Sequence, residues 1–416
     1  MRIKAFGIYA ALALSTALSW PALAADTELK VNYTWTSPSE TAAIKVLIDA
    51  LKPKGIKWSD FNVIAHDTGA NVTVVNMVSG GTPPDVFMDS IPGLYRDLAG
   101  MGLGVPLDDI FNKSGATANF PPAIKSAITV DGKMVKVPVG VQIDGMLYYN
   151  LEVAQKAGVD PSKWTSMDDV WKEFDKVKAA GFIPLAIGAQ EWQERYLLHA
   201  LMAAFHGDVY DKFYAEKPDE TVFDDPGLKQ TIDLVRQFQQ HADPAATNRP
   251  WNDTTNLVIT GKALMQIHGD WIKGEFRNAG KVAGKDFGCI MIPGATGVAV
   301  TVDAWGFVKS KDEAVTKAQQ VMAETQVDPK VNADFAAAKG STPVVLNAPT
   351  DKLDQCNKVV LEQLADPAKQ HPNPNNTADA DWYQATGQVI DHFWNDPTMT
   401  SEQAIEELRA EYSSIF

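Results

Sequence analysis

Three short β-branched runs, separated by two helical stretches, begin near residue 29, and this order constrains the fold more than any other feature of the chain. In residues 29–35, Leu29, Val31 and Tyr33 alternate with polar side chains, the period-two signature of a strand. Ser37-Pro38-Ser39-Glu40 then supplies a hydroxyl cap, an early proline and a first-turn acid, which together start a helix. Ile44, Leu47, Ile48 and Leu51 recur at helical spacing until Pro53 and Gly55 end it. Residues 61–65 read as a second strand. Residues 70–79 read as a second helix with Val74, Val75 and Val78 on one face, and residues 83–88 as a third strand. A β-α-β-α-β order predicts a mainly parallel sheet covered by helices.

The pattern continues through the chain. Residues 135–150 are extended and β-rich, and Thr165 and Ser166 cap a helix carrying Val170, Trp171, Phe174 and Val177. Strands are expected at 182–187, 263–267, 287–292 and 298–308, with a helix over 191–206 and a mainly helical last hundred residues. At 416 residues the chain exceeds what one core holds, since single cores stop growing near ~250–300 residues. Two α/β lobes are therefore expected.

The amino terminus predicts export. Arg2 and Lys4 precede a nearly unbroken apolar stretch over 5–20, and Pro21-Ala22-Leu23-Ala24 ends in a small-x-small pattern, so residues 1–24 read as a signal peptide cleaved after Ala24. The net charge of −15 removes the basic footprint that nucleic acid or an anionic membrane would require. In an oxidising compartment Cys289 and Cys356 either pair, closing a long loop at a gain of roughly 3–5 kcal/mol, or pack as two buried thiols.

Catalytic signatures are missing from the sequence. It contains no H-E-x-x-H, no G-x-S-x-G, no P-loop and no G-x-G-x-x-G after a strand. The seven histidines show no ligand-pair spacing, so neither a metal nor a cofactor is expected. What recurs instead is tryptophan beside hydrogen-bonding groups at strand ends. Trp35 closes the first strand near Glu40, Trp192 stands among Gln190, Glu191, Gln193 and Glu194, and Trp251 sits between Pro250 and Asn252. Trp271 follows Asp270, and Trp305 follows Asp303. Ligands of open α/β sheets bind beyond the carboxyl ends of strands. An indole can stack on the apolar face of a pyranose while carboxylates and amides bond its hydroxyl rim. Each such tryptophan taken alone has a core role as its alternative.

The same residues carry a resemblance. Residues 182–193, ending in Gln190-Glu191-Trp192-Gln193, are similar to a strand-turn stretch of periplasmic glucose/mannose-binding proteins. Gly269-Asp270-Trp271-Ile272-Lys273-Gly274-Glu275-Phe276, followed by Ala279-Gly280-Lys281-Val282, resembles their Gly-Asp-Trp region. Val302-Asp303 and Lys339-Gly340-Ser341-Thr342-Pro343-Val344 match in type and order. The chain thus resembles the extracellular solute-binding proteins, family 1, of sugar ABC importers.

That resemblance implies a two-lobed periplasmic-binding-protein fold of type II, with 25–137 plus 303–342 in the amino-terminal lobe and 138–302 plus 343–416 in the other. It implies sugar contacts from Trp35, Glu40, Asp303, Lys339 and His371, with Trp192 and Gln193 from the second lobe. Gln142, Trp251, Asp270, Trp271 and Trp305 complete the candidate set, and Asp67 and Asp89 are expected to add carboxylates to one wall of the cleft. Two departures stand out: Thr36 follows Trp35 where the resembled proteins carry a second tryptophan, and Asp89 stands where they carry a lysine. The implied partners are a monosaccharide such as glucose, mannose or galactose, two permease subunits and their ATPase. A monomer working in the periplasm is expected. An exported glycosidase-like enzyme, or a sugar sensor without transport, is the alternative.

Overall fold

The computed structural model describes residues 26–61, 74–88 and 94–416. The expected signal peptide and its cleavage point, Asp67 and Asp89 lie outside the described residues. Among the described residues no helix is long and apolar enough to cross a membrane.

The strands, in chain order, are β1 (Thr27–Asn32), β2 (Ile56–Asp60), β3 (Val86–Met88), β4 (Thr129–Val130), β5 (Lys133–Met134) and β6 (Lys136–Ile143). They continue with β7 (Met146–Asn150), β8 (Ile183–Leu185), β9 (Ala263–His268), β10 (Phe287–Met291), β11 (Val298–Phe307) and β12 (Gln370–Pro372). β4 and β5 form a small hairpin; the rest build two sheets.

The first sheet runs β12-β11-β3-β1-β2, with β6 paired to β11. β1 is parallel to β2 and β3, as the β-α-β-α-β order predicts, while β11 is antiparallel to β3 and β6. β2 forms at Ile56–Asp60, with Trp58 opposite Leu29, while residues 62–65 of the strand expected over 61–65 lie outside the described residues. The helix Pro38–Leu51 covers this sheet with Ala43, Ile44, Leu47 and Leu51. Its start is a capping box, in which Ser37 Oγ accepts from the Glu40 amide and the Glu40 carboxylate accepts from the Ser37 amide.

The second sheet runs β10-β7-β9-β8. It is mixed rather than mainly parallel, since β7 is antiparallel to both β9 and β10. The cause is the way β7 arrives: it leaves β6 through Asp144 and Gly145, whose φ of +83° needs glycine, and so enters against the direction of β8 and β9. Helices Met167–Ala179, Glu191–Phe205, Pro226–His241 and Ala380–Asn395 cover one face of this sheet. Helices Trp251–Ile259, Ile272–Asn278 and Gln355–Leu364 lie towards the other, where Trp251, Phe276 and Phe287 join the apolar cluster of Val31, Leu47 and Trp305. A disulfide joins Cys289 on β10 to Cys356 at the start of Gln355–Leu364.

Candidate functional site

A polar cavity between elements of the two sheets is lined by Thr34, Thr36, Ser37 and Glu40 on one side and Gln190, Trp192, Trp251 and Asn252 on the other. The first wall is the loop after β1 and the capped helix start. The second combines the N-termini of helices Glu191–Phe205 and Trp251–Ile259.

On the first wall, Glu40 is 4% exposed and its Oε2 accepts from the amides of Thr36 and Ser37, 3.0 Å each. Its other oxygen lies 3.7 Å from Lys339 Nζ. Lys339 ends the helix Pro329–Lys339, stopped by Gly340 at φ +94°, where the C-terminal dipole favours a cation. The Lys339 ammonium also lies 4.7 Å from the Trp35 ring centroid and 5.8 Å from that of Trp271. This buried lysine therefore links the first wall to the Gly-Asp-Trp turn that follows β9.

Asp303 sits on β11 opposite Gly140 of β6, and its Oδ2 accepts from Gln142 Nε2 at 2.8 Å. Burial pushes its carboxyl up to about 6, against the pull of Lys339 and with the help of Glu40. Three chain segments meet at this point. Val141 bridges Thr342, and a Cβ on Gly140 would stand 2.3 Å from Ser341 Oγ, so only glycine allows the approach.

On the second wall, Trp192 Nε1 and Gln193 Nε2 both donate to Gln190 Oε1, at 3.1 and 2.6 Å, and Gln193 also donates to Arg249 O at 2.9 Å. Trp271 is partly exposed and meets Tyr196 and His268 edge-on, at centroid distances of 5.4 and 5.1 Å. Trp251 lies 6.3 Å from His268. Asp270 is fully buried, neither carboxylate oxygen has a hydrogen-bond partner among the described residues, and burial holds its carboxyl well above the usual range despite Lys273 nearby.

The structure thus brings together Trp35, Glu40, Gln142, Asp303 and Lys339 with Trp192, Gln193, Trp251, Asp270 and Trp271. Two expectations are corrected. Trp305 has no exposed surface; it backs Trp35 at 6.1 Å and Trp58 at 5.5 Å, so its ring supports the wall from behind. The reason is the aromatic packing around it: Tyr33, Trp35 and Trp58 enclose the ring, the first at 6.3 Å and edge-on. His371 lies on the edge strand β12, bonded to Asp211 at 2.9 Å and packed over Gly207 and Gly297, away from this cluster.

Sequence reasoning missed three groups. Asp144 accepts from Thr301 Oγ1 at 3.0 Å and Asn373 Nδ2 at 3.3 Å and meets His199 Nε2 at 3.1 Å, a buried cluster beside the β6–β7 turn. Glu275 accepts from the Ser39 amide at 3.0 Å. His268 closes β9 directly before Gly269-Asp270-Trp271, and a lone histidine at the end of an apolar strand was the signal available.

The family model for bacterial extracellular solute-binding proteins matches residues 35–370. The chain belongs to that family. A probable sugar-binding periplasmic protein of Mesorhizobium japonicum is 32% identical over 410 residues, covering 95% of this chain and 96% of the relative. One of the same description from Rhizobium meliloti is 30% identical, covering 94% and 95%. Among solved structures, a chitin oligosaccharide binding protein superposes with a TM-score of 0.80 at 18% identity, covering 94% of this chain and 98% of its own. A bacterial solute receptor described as having an exclusive preference for β-D-galactopyranose superposes at 0.78 and 19% identity, covering 94% and 100%. The two-lobed α/β fold is that of the type II periplasmic binding proteins.

Proposed function

We propose that this protein captures a mono- or small oligosaccharide between its lobes in the periplasm and delivers it, without chemistry, to the two permease subunits of an ABC importer powered by their ATPase. The observation that carries the reading is the cavity whose one wall holds Glu40 and whose other holds Trp192 and Trp251. Carboxylate and amide groups are suited to the hydroxyl rim of a sugar, and the indoles to its C–H face. The descriptions of the Mesorhizobium and Rhizobium relatives point to the same ligand class. The motifs at 190–193 and 269–271 favour a monosaccharide such as glucose, mannose or galactose.

In this reading the lobes divide 25–137 with 303–342 from 138–302 with 343–416, and the protein works as a monomer. The adjacent segments around Gly140, Asp303 and Thr342 act as the hinge, absorbing backbone changes over a few residues. Ligand stabilises the closed form only by its differential affinity for it. The test is a melting screen of the mature protein against mono- and disaccharides, beside a turnover assay on a glycoside panel. Stabilisation of about 2.7 kcal/mol at a hundredfold excess over Kd, with no turnover, is expected. Hydrolysis of any panel member would sink the binding-only reading.

A further inference from the structure

Behind Gln193 lies a second cavity, lined among others by Leu185, Gly188, Gln193, Tyr196, Gln266 and His268. It opens at the carboxyl ends of the parallel strands β8 and β9. It also shares a wall with the cavity between the lobes, because Gln190 lines the outer space and its Oε1 holds the Gln193 amide that lines the inner one.

Two buried polar atoms in this wall have no partner among the described residues: Gln266 Oε1 and His268 Nε2. His268 is 3% exposed and Gln266 2%. The His268 ring is fixed on several sides. Tyr196 stacks on it at 4.6 Å and 23°, and Trp271 meets it at 5.1 Å. Its Nδ1 accepts from the Gly269 amide at 2.9 Å, so in the neutral ring the proton sits on Nε2. Burial, with Lys339 and His199 as the charges that face the ring, lowers its pKa to about 3, so the ring stays neutral at ordinary pH. An unpaired donor and an unpaired acceptor buried in one cavity are costly to leave unmade. A hydroxyl satisfies both, accepting from the imidazole and donating to the amide oxygen.

We propose that this inner cavity is a hydroxyl subsite of the cleft, and that His268 and Gln266 determine which sugar is held. The proposal rests on the sugar-binding reading above. It predicts discrimination: a ligand lacking the hydroxyl that enters the cavity leaves both groups unpaired and binds much more weakly.

The experiment uses the mature protein and a panel of D-glucose, D-galactose, D-mannose and D-xylose, extended by the monodeoxy derivatives of the best binder. For the native protein, one derivative should bind at least tenfold more weakly than its parent. His268→Met should weaken the parent by a similar factor and leave that derivative within about twofold, while His268→Gln, which keeps a donor, should recover part of the loss. If His268→Met does not fold, Gln266→Met is carried through the same cycle. In parallel, the imidazole Nε2–H resonance should shift when the best sugar is added. Equal losses across all derivatives, or an unmoved resonance, would mean that the cavity holds an ordered water only. Failure of the native protein to bind any panel member would instead defeat the sugar reading, and this proposal with it.

Discussion

The amide of Ser39 donates to Glu275 Oε1 at 3.0 Å, tying the N-terminus of helix Pro38–Leu51 to helix Ile272–Asn278. The two residues are far apart in sequence, and both are buried. The contact is tight: a Cβ on Gly274 would stand 2.4 Å from the Lys339 carbonyl oxygen and 2.8 Å from Ser39 Cβ. Glu275 places a carboxylate on the positive end of a helix dipole, from the side of the second sheet.

Glu275→Gln keeps an acceptor but removes the charge. Closure should become less favourable by about 0.3–1 kcal/mol, the usual value of a charge at a helix terminus. Calorimetry should read this as roughly two- to fivefold weaker binding. A lowered melting temperature with unchanged affinity would make Glu275 a staple of the fold rather than of the closed form.

Trp271 is partly exposed between Lys339, Tyr196 and His268. Trp271→Ala should weaken sugar binding by on the order of 2–4 kcal/mol, the stacking term plus lost burial. The comparison to make is affinity against thermal stability for the same variant. Loss confined to stability would return the ring to the core.

Asp303 gives a pH signature. Its carboxyl titrates near 6 in the folded protein because of burial, above the ~3.9 of an unfolded chain. Folding therefore favours the protonated form. That stabilising contribution is complete below about pH 4 and is lost as pH rises through 6. In Asp303→Asn, which preserves an acceptor for Gln142, the stability-versus-pH curve should be flatter between pH 4 and 6 than in the native protein. Chemical denaturation at pH 4, 5, 6 and 7 checks this, and identical slopes would contradict it.

The disulfide spans 67 residues between Cys289 and Cys356. Replacing both by alanine should cost roughly 3–5 kcal/mol, mostly by freeing the unfolded chain. Both ends lie on the second sheet's side, so ligand affinity should change little. Intact mass two daltons below the reduced form is the direct readout. Free thiols labelled after unfolding would show that the bond does not form.

Local signals carried much of the architecture. Ser37 and Glu40 marked a helix start, which the structure builds as a capping box, and Ser166 caps the helix expected after it. The tryptophans at 35, 192, 251 and 271 and the acids at 40 and 303 could be picked out because strand ends and helix starts are written in nearest-neighbour chemistry. The strand at Ile56–Asp60 is not legible in the sequence because a short edge strand, half polar, has little periodicity to read.

The sequence by itself determined which side chains carry hydrogen-bonding and stacking chemistry, and that they fall at the ends of regular elements, because those features depend on neighbours one to four residues away. Only the tertiary structure decided which of them meet. Trp305 is enclosed by Tyr33, Trp35 and Trp58, which reach it from the loop after β1 and from β2, while Asp303 two residues earlier accepts from Gln142 of β6. The pairing of Lys339 with Glu40, and the stranded Nε2 of His268, arise from segments hundreds of residues apart or from different sides of a packed interior. Close packing leaves each such side chain one available place, and that place is set by every element around it.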